Sequence, residues 1–217
     1  MHNMKIYSWD IKGLGNPIKR NKVLSLLKKD KADVVFLQET FLSDTEHLKL
    51  KRDWIGQVYF SSYKTHSRGT AIVINKTCPF ELEKLVTDPN GRFVLVVGTI
   101  FGTPITFLNI YALNIDEAMF MSDMVLLFNE NCKGLGLMGG DFNCTLNPTL
   151  DQSNQSKSHN LKSSKVLQGL CAECGLIDVW RQLNQDIKDY TFFSNVHNAY
   201  SRIDYFCIHS KYMHRVK

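Results

Sequence analysis

Leu135-Gly136-Leu137-Met138-Gly139-Gly140-Asp141-Phe142-Asn143 is the stretch on which the fold turns. Its apolar run has no polar alternation, as expected of a strand buried on both faces. Two glycines follow, which let the backbone approach a neighbour closely or bend sharply. Asp141 and Asn143 then stand two residues apart, so both point to one side if the strand continues that far. An Asx-turn closing the strand would use the same residue types. The pentapeptide alone leaves both readings open; an anionic group beside a neutral amide is also what phosphodiester chemistry needs, to activate water and to hold a phosphate oxygen.

Other strand ends repeat the pattern. Val34-Val35-Phe36-Leu37-Gln38 is an uninterrupted run that stops on Glu39, a carboxylate suited to a hard cation such as Mg²⁺, which takes one or two carboxylates plus water and phosphate oxygens. Ile105 to Tyr111 closes on a phenol able to donate to a phosphate oxygen. Met4 to Trp9 ends on Asp10, and Ile203 and Asp204 lead into Tyr205-Phe206-Cys207-Ile208. Polar groups gathered at the ends of apolar strands mark the place where open α/β sheets put their sites.

Between these strands the pattern predicts a β-α-β start, with Asn16-Pro17 as N-cap and first helical position and Val23, Leu24 and Leu27 as the buried face. Strand-like runs follow at 58–63, 70–74, 80–86, 93–101 and 105–111, separated by turn signals such as Asp88-Pro89-Asn90-Gly91. Their close spacing predicts antiparallel meanders. Helices are expected over 115–129 and 161–174, with two short strands after them. The fold class that results is α/β, a layered sandwich of two packed mixed sheets flanked by helices.

The chain's 217 residues, 44% of them hydrophobic, can bury the core of one domain. No signal-peptide pattern opens the sequence and no run approaches the roughly 18 apolar residues that would span a bilayer, so an intracellular protein without membrane contact is expected. The six cysteines form no even disulfide framework. Cys171-Ala172-Glu173-Cys174 lacks a second ligand pair, and with Val166, Leu167 and Leu170 it reads as one apolar helix face. A net charge of +5 agrees with a polyanionic partner. Basic runs at Lys19-Arg20, Lys28-Lys29, Lys49 to Arg52 and the lysines of 157–165 read first as solvated faces.

Six ordered stretches carry a resemblance: Trp9-Asp10-Ile11-Lys12-Gly13-Leu14, Leu37-Gln38-Glu39-Thr40, Ser67-Arg68-Gly69-Thr70-Ala71-Ile72, Asn109-Ile110-Tyr111-Ala112, Gly139 to Asn143, and Ser201 to Phe206. They resemble the successive motifs of the exonuclease-endonuclease-phosphatase superfamily. Within it the chain is most similar to endonuclease domains of LINE-type retrotransposons of fish and amphibian genomes, supported by 59–92.

The resemblance implies a metal-dependent phosphodiesterase that nicks double-stranded DNA and leaves a 3′-hydroxyl primer for reverse transcription. It implies Glu39 as ligand of Mg²⁺ (or Mn²⁺) with Asp10 as a further candidate ligand, and Tyr111 at the phosphate or leaving group. Asp141 would orient or deprotonate water, Asn143 would hold the scissile phosphate, and Thr191 and Asp204 complete the site. A reverse transcriptase domain in the same polyprotein, a monomeric endonuclease domain and action in the nucleus are the corresponding expectations. Abasic-site nucleases, small-molecule phosphoesterases of the same fold, and a relic that binds without cutting are the alternatives.

Three positions depart from the pattern: Asp10 stands where the family has Asn, Gln152 where related sequences carry Arg, and Leu113 where Pro is usual. The family's final Ser-Asp-His has no counterpart up to Lys217, and truncation before it is expected. His209 and His214 come too early for that role and read as surface histidines.

Overall fold

A computed structural model describes residues 3–54, 56–64, 66–115, 117–154 and 161–217. β1 (Ile6–Asp10) and β2 (Val34–Gln38) pair in parallel. The helix between them, α1 (Pro17–Lys29), begins where the Asn16 side chain accepts from the N–H groups of Ile18 and Lys19. Pro17 supplies a preset φ at the first helical position, where no donor is missed. After α2 (Asp44–Trp54), β3 (Gly56–Ser61) and β4 (Thr70–Asn75) complete an open sheet of order β1-β2-β4-β3.

The second sheet opens with the expected meander of β5 (Phe80–Thr87), β6 (Phe93–Ile100) and β7 (Thr103–Tyr111). Helix α3 (Ala118–Asn131) then crosses over to β8 (Leu135–Asp141), which lies parallel to β7. A one-turn helix, α4 (Pro148–Asp151), α5 (Leu161–Glu173), β9 (Leu176–Asp178) and a short α6 (Val179–Leu183) follow. The hairpin β10 (Phe192–Ser194) and β11 (Ala199–Ser201) leads into β12 (Asp204–His209), which inserts between β8 and β9.

Strand alternation decides where each face goes. On β2, Val35 and Leu37 pack with Leu24, Leu27, Leu50 and Trp54 under α1 and α2. Val34 and Phe36 face the other way, into a layer shared with Val96, Phe107 and Ile208 of the second sheet. On β7, Leu108 and Ile110 pack with Met124, Val125, Phe128 and Leu167 of α3 and α5. Both sheets are mixed, and helices cover both outer faces. The expected α/β layered sandwich is therefore the observed one, with its layers in the order helix, sheet, sheet, helix.

Three local differences have physical causes. Helix α2 was not expected from the sequence; on it Lys49 pairs with Glu46, Leu50 is buried and Lys51 is exposed, in keeping with a solvated face. The α2 helix shows no apolar run, because its buried stripe of His47, Leu50 and Trp54 uses only three positions and one is polar. Helix α3 starts at Ala118, three residues later than expected, and β9 is too short to leave a periodic signal. The lysine-rich loop falls partly on 155–160, outside the described residues. All six cysteines are free, and Cys171 and Cys174 pack into the α3/α5 core as their helical spacing predicts. No helix among the described residues is long and apolar enough to cross a membrane.

Candidate active site

Odd-numbered residues of β7 face the space between the sheets: Ile105 and Phe107 fill it, Asn109 is buried in it, and Tyr111 lies at its rim. On β8 the same face runs from Leu135 and Leu137 through Gly139 to Asp141; on β12 it runs from Ile208 and Phe206 to Asp204. On β1 it carries Ile6, Ser8 and Asp10. Register then sets these ends level, since Asp141 stands opposite both Tyr111 and Asp204, and Asp10 opposite Gln38. Apolar residues thus hold the sheets together along the layer, and where the strands end the same face becomes polar and opens to solvent.

The opening is a cleft of about 430 Å³ that includes Asp10, Glu39, Tyr111, Asp141, Asn143 and Asp204 in its lining. Thr191 borders it too, so all seven residues singled out from the sequence meet at one place. Lys12, Trp9, Asn114 and Phe192, which the sequence reading did not single out, also line it. Lys12 brings a positive charge to this acidic group, and that charge holds the Asp10 and Asp204 carboxyl groups below where burial alone would put them. A lysine two residues after a strand-end aspartate and one before a glycine was the available signal.

The Gly-Gly-Asp-Phe-Asn segment is both a turn and a site. Asn143 has φ +47, and its N–H donates to Asp141 Oδ1 at 2.8 Å, which is an Asx-turn. The strand stops at Asp141, so it is the turn rather than strand alternation that brings Asn143 back to the cleft. Its Nδ2 donates to Ala112 O (2.7 Å) and Asp141 Oδ2 (3.1 Å), fixing both oxygens of Asp141. The glycines are required by contact: a Cβ on Gly139 would lie 2.3 Å from the Phe206 ring, and one on Gly140 (φ +129) 2.1 Å from Ile110 O.

Glu39 leaves β2 in the left-handed region, at φ +49, an uncommon conformation for glutamate. Its carboxylate accepts from the Tyr111 hydroxyl at 2.5 Å. Burial first, and that bond second, push the Tyr111 phenol well above its ordinary range, so it stays protonated as a donor. Thr191 lies opposite, its hydroxyl accepting from the N–H groups of Ile203 (3.1 Å) and Asp204 (3.3 Å).

Electrostatics follow from crowding acids in a half-dry cleft. Burial, then Glu39, raise the Asp10 carboxyl to about 7. Burial, then Asp204, raise Asp141 well above the ordinary carboxylate range, and burial raises Asp204. Among the described residues no group of three or more His, Cys, Asp and Glu side chains could hold a metal ion unaided. Carboxylates gathered in one cleft nevertheless fit a hard divalent cation, because Mg²⁺ takes one or two carboxylates and completes its shell with water and phosphate oxygens.

Asp10 yields a prediction with a definite sign. Its folded pKa lies above its unfolded value, so its contribution to stability is complete below about pH 4 and is lost as pH rises through about 7. The neutral isostere Asp10→Asn should therefore melt higher than the parent in EDTA, with a gap that widens from pH 4 to 7 and is constant above. A gap that is flat across pH 4–8 would show that Asp10 does not carry the repulsion. If the cleft hydrolyses phosphodiesters, as the resemblance of the sequence implies, the same change should raise the rate by restoring the amide that the resemblance puts at position 10; a slower variant would make Asp10 a working ligand.

Just before Asp204 in the chain, Arg202 belongs to a buried ion network. Arg202 donates to both oxygens of the fully buried Asp151 (2.9 and 3.0 Å) and to Asp178 (2.5 Å), and Arg181 donates to Asp151 (2.5 Å). It ties α4 and the start of α6 to the residues just before β12. Gln152, next in the chain, bridges to Ser201 and borders a cavity adjoining the cleft. Breaking a buried pair leaves an uncompensated charge, so Asp151→Ala should lose about 3–5 kcal/mol in urea denaturation. An unchanged midpoint would mean that water satisfies the arginines.

The chain is thus a two-sheet sandwich with an acidic, hydrogen-bonded cleft across its strand ends. Residues 7–213 match the model of the Endonuclease/Exonuclease/phosphatase family, and the chain belongs to that family. It is similar to a transposon TX1 uncharacterized 149 kDa protein of Xenopus laevis, 27% identical over 220 residues; the match covers 99% of this chain and 16% of that protein. Solved structures share the fold. The AP endonuclease LMAP of Leishmania major gives a TM-score of 0.78 at 18% identity, covering 97% of this chain and 80% of that one. An AP endonuclease of Archaeoglobus fulgidus gives 0.77 at 20%, covering 97% and 88%. A 3′-5′ exonuclease (NExo) of Neisseria meningitidis gives 0.73 at 22%, covering 99% and 90%.

Proposed function

We propose that the chain is the endonuclease domain of a LINE-type retrotransposon, nicking one strand of duplex DNA in a divalent-metal-dependent reaction that leaves a 3′-hydroxyl. The observation that carries this reading is the convergence of Asp10, Glu39, Tyr111, Asp141, Asn143 and Asp204 on one cleft at the parted ends of two sheets. The transposon relative, alike along nearly the whole chain, favours a retroelement over a repair setting. In that setting the domain adjoins a reverse transcriptase, acts as a monomer and works in the nucleus.

Glu39 would hold Mg²⁺ or Mn²⁺, which when bound supplies charge to the phosphate oxygens as negative charge builds up there. Asp141 is the base. Burial and the neighbouring acids raise its proton affinity, which suits a group that takes a proton from water, and the Asn143 backbone N–H holds it in one orientation. The water oxygen bonds to phosphorus as the bond from phosphorus to the 3′-oxygen breaks. Tyr111 can turn its hydroxyl from Glu39 to hydrogen-bond that departing oxygen, which takes its proton from solvent water to end as the 3′-hydroxyl. Asn143 can turn its amide to a phosphate oxygen by giving up its bond to Asp141, and Thr191 holds the Asp204 backbone beside it.

Supercoiled plasmid tests the reading. Mg²⁺ should convert it to open circles, EDTA should prevent this, and the nicks should be extended by a DNA polymerase without prior end repair. Affinity for duplex DNA should fall with added salt, with a log–log slope of about −0.9 per phosphate neutralised. Nicks that block the polymerase, or cutting confined to plasmid with abasic sites, would overturn the retroelement reading; salt-independent binding would remove the phosphate contacts.

A further inference from the structure

We infer that His47 is a positioning residue for the Glu39 loop: a neutral imidazole buried between two hydroxyls that locks Thr40, and through it the left-handed Glu39. The inference deepens the metal role given to Glu39 above and rests on it. His47 lies on α2 with no exposed surface, stacked flat on Phe60 at a centroid distance of 4.5 Å. Both ring nitrogens are engaged, Nε2 with Thr40 Oγ1 at 2.9 Å and Nδ1 with Ser62 Oγ at 2.8 Å. A neutral ring has one donor and one acceptor, and a hydroxyl can complement either, so both bonds are satisfied in a single tautomer. Burial depresses the ring to about 4, which keeps it in that neutral form.

What the imidazole holds is a stack of loops with no regular ladder of their own. Thr40 N–H donates to Gly69 O (3.0 Å) and Phe41 N–H to Arg68 O (2.8 Å), while Gly13 and Leu14 donate to the carbonyls of Glu39 (2.7 Å) and Thr40 (2.8 Å). Glu39, Phe41 and Arg68 all have positive φ, a run of strained residues that persists only where surroundings over-determine it. The packing around the bond from Thr40 to His47 is tight, since a Cβ on Gly69 would come 2.4 Å from Thr40 Oγ1 and 3.7 Å from the His47 ring. His47 is the side chain that ties Thr40 to the helix and to the end of β3. Without it, Thr40 keeps only backbone bonds to loops as irregular as its own.

The variants are His47→Phe, which keeps the stacking ring and removes both bonds, His47→Gln, which can restore one, and Thr40→Val. Two readouts separate the clamp from the metal. Amide hydrogen exchange, without metal or DNA, should quicken at Thr40 and Phe41 in His47→Phe and Thr40→Val while the β4 amides keep their protection. Mn²⁺ binding, followed by the electron-spin signal of the free ion, should weaken on the order of tenfold in both, as is usual when a partner that orients a ligand is lost. His47→Gln should recover part of each effect, and the double variant should be no worse than either single one. Slow exchange at Thr40 in a folded His47→Phe or Thr40→Val protein overturns the clamp. Quickened exchange with unchanged Mn²⁺ affinity overturns its link to Glu39. Failure of the parent chain to bind Mn²⁺ overturns the metal reading itself, and the exchange experiment alone then decides the clamp. Should His47→Phe not fold, the same two measurements on Thr40→Val and His47→Gln decide both points.

Discussion

Glu39→Ala should bring Mg²⁺-dependent plasmid nicking down by at least about a hundredfold, the rate equivalent of the several kcal/mol that a correctly held cation contributes at a developing phosphate charge. Its carboxylate is held by the Tyr111 hydroxyl at the point where the β2 strand leaves the sheet. The alanine variant should remain folded, because residue 39 is neither part of the core between the sheets nor of the two helix-facing cores. It should also relieve the crowding felt by Asp10, whose carboxyl group Glu39 helps to raise. A folded variant that nicks as fast as the parent would take Glu39 out of the mechanism.

Asp141→Asn should cost about 10²–10⁴-fold, the usual range for removing a general base. The substitution keeps an oxygen for the Asn143 N–H and removes the only part that can accept a proton. Since the native carboxyl is buried among other acids, the variant should melt no lower than the parent in EDTA, and DNA binding at low salt should be at least as tight. Loss of activity with loss of fold would point to a turn residue alone; full activity would move the base elsewhere, with Asp204 the next carboxyl in register.

Much of this site was legible because strands end where their apolar runs end, and the side chain at the end is the one that lines the opening. Asp10, Glu39, Tyr111, Asp141 and Asp204 could be read in that way, and the family resemblance then joined them with Asn143 and Thr191. Asn143 was placed for an incomplete reason, since a left-handed turn and not a continued strand returns it to the cleft. Lys12 stayed unread because its spacing from Asp10 and Gly13 was the only signal, and in a loop between the buried Ile11 and Leu14 that spacing does not say which way a lysine points. His47 was hidden in α2, whose polar composition masks a narrow buried stripe. A buried histidine, unlike a buried leucine, has no periodic signature; its position is justified only by partners at residues 40 and 62, which local pattern does not reveal.

Beneath the cleft, the Gln38 amide donates to Asn109 Oδ1 at 2.6 Å, and Asn109 donates back to the carbonyls of Leu37 (3.0 Å) and Ala71 (2.9 Å). All strands of the first sheet come from residues before 76 and all of the second from residues after 79, so the reacting groups belong to two consecutive halves of the chain. Oily contact between the halves is indifferent to sideways slippage, whereas these three directional bonds are not. The molecule is thus a vice whose jaws are separately made, with a bolt of amides setting their alignment. The cleft exists only where the two segments meet, since Asp10 and Glu39 come from one and Tyr111, Asp141 and Asp204 from the other.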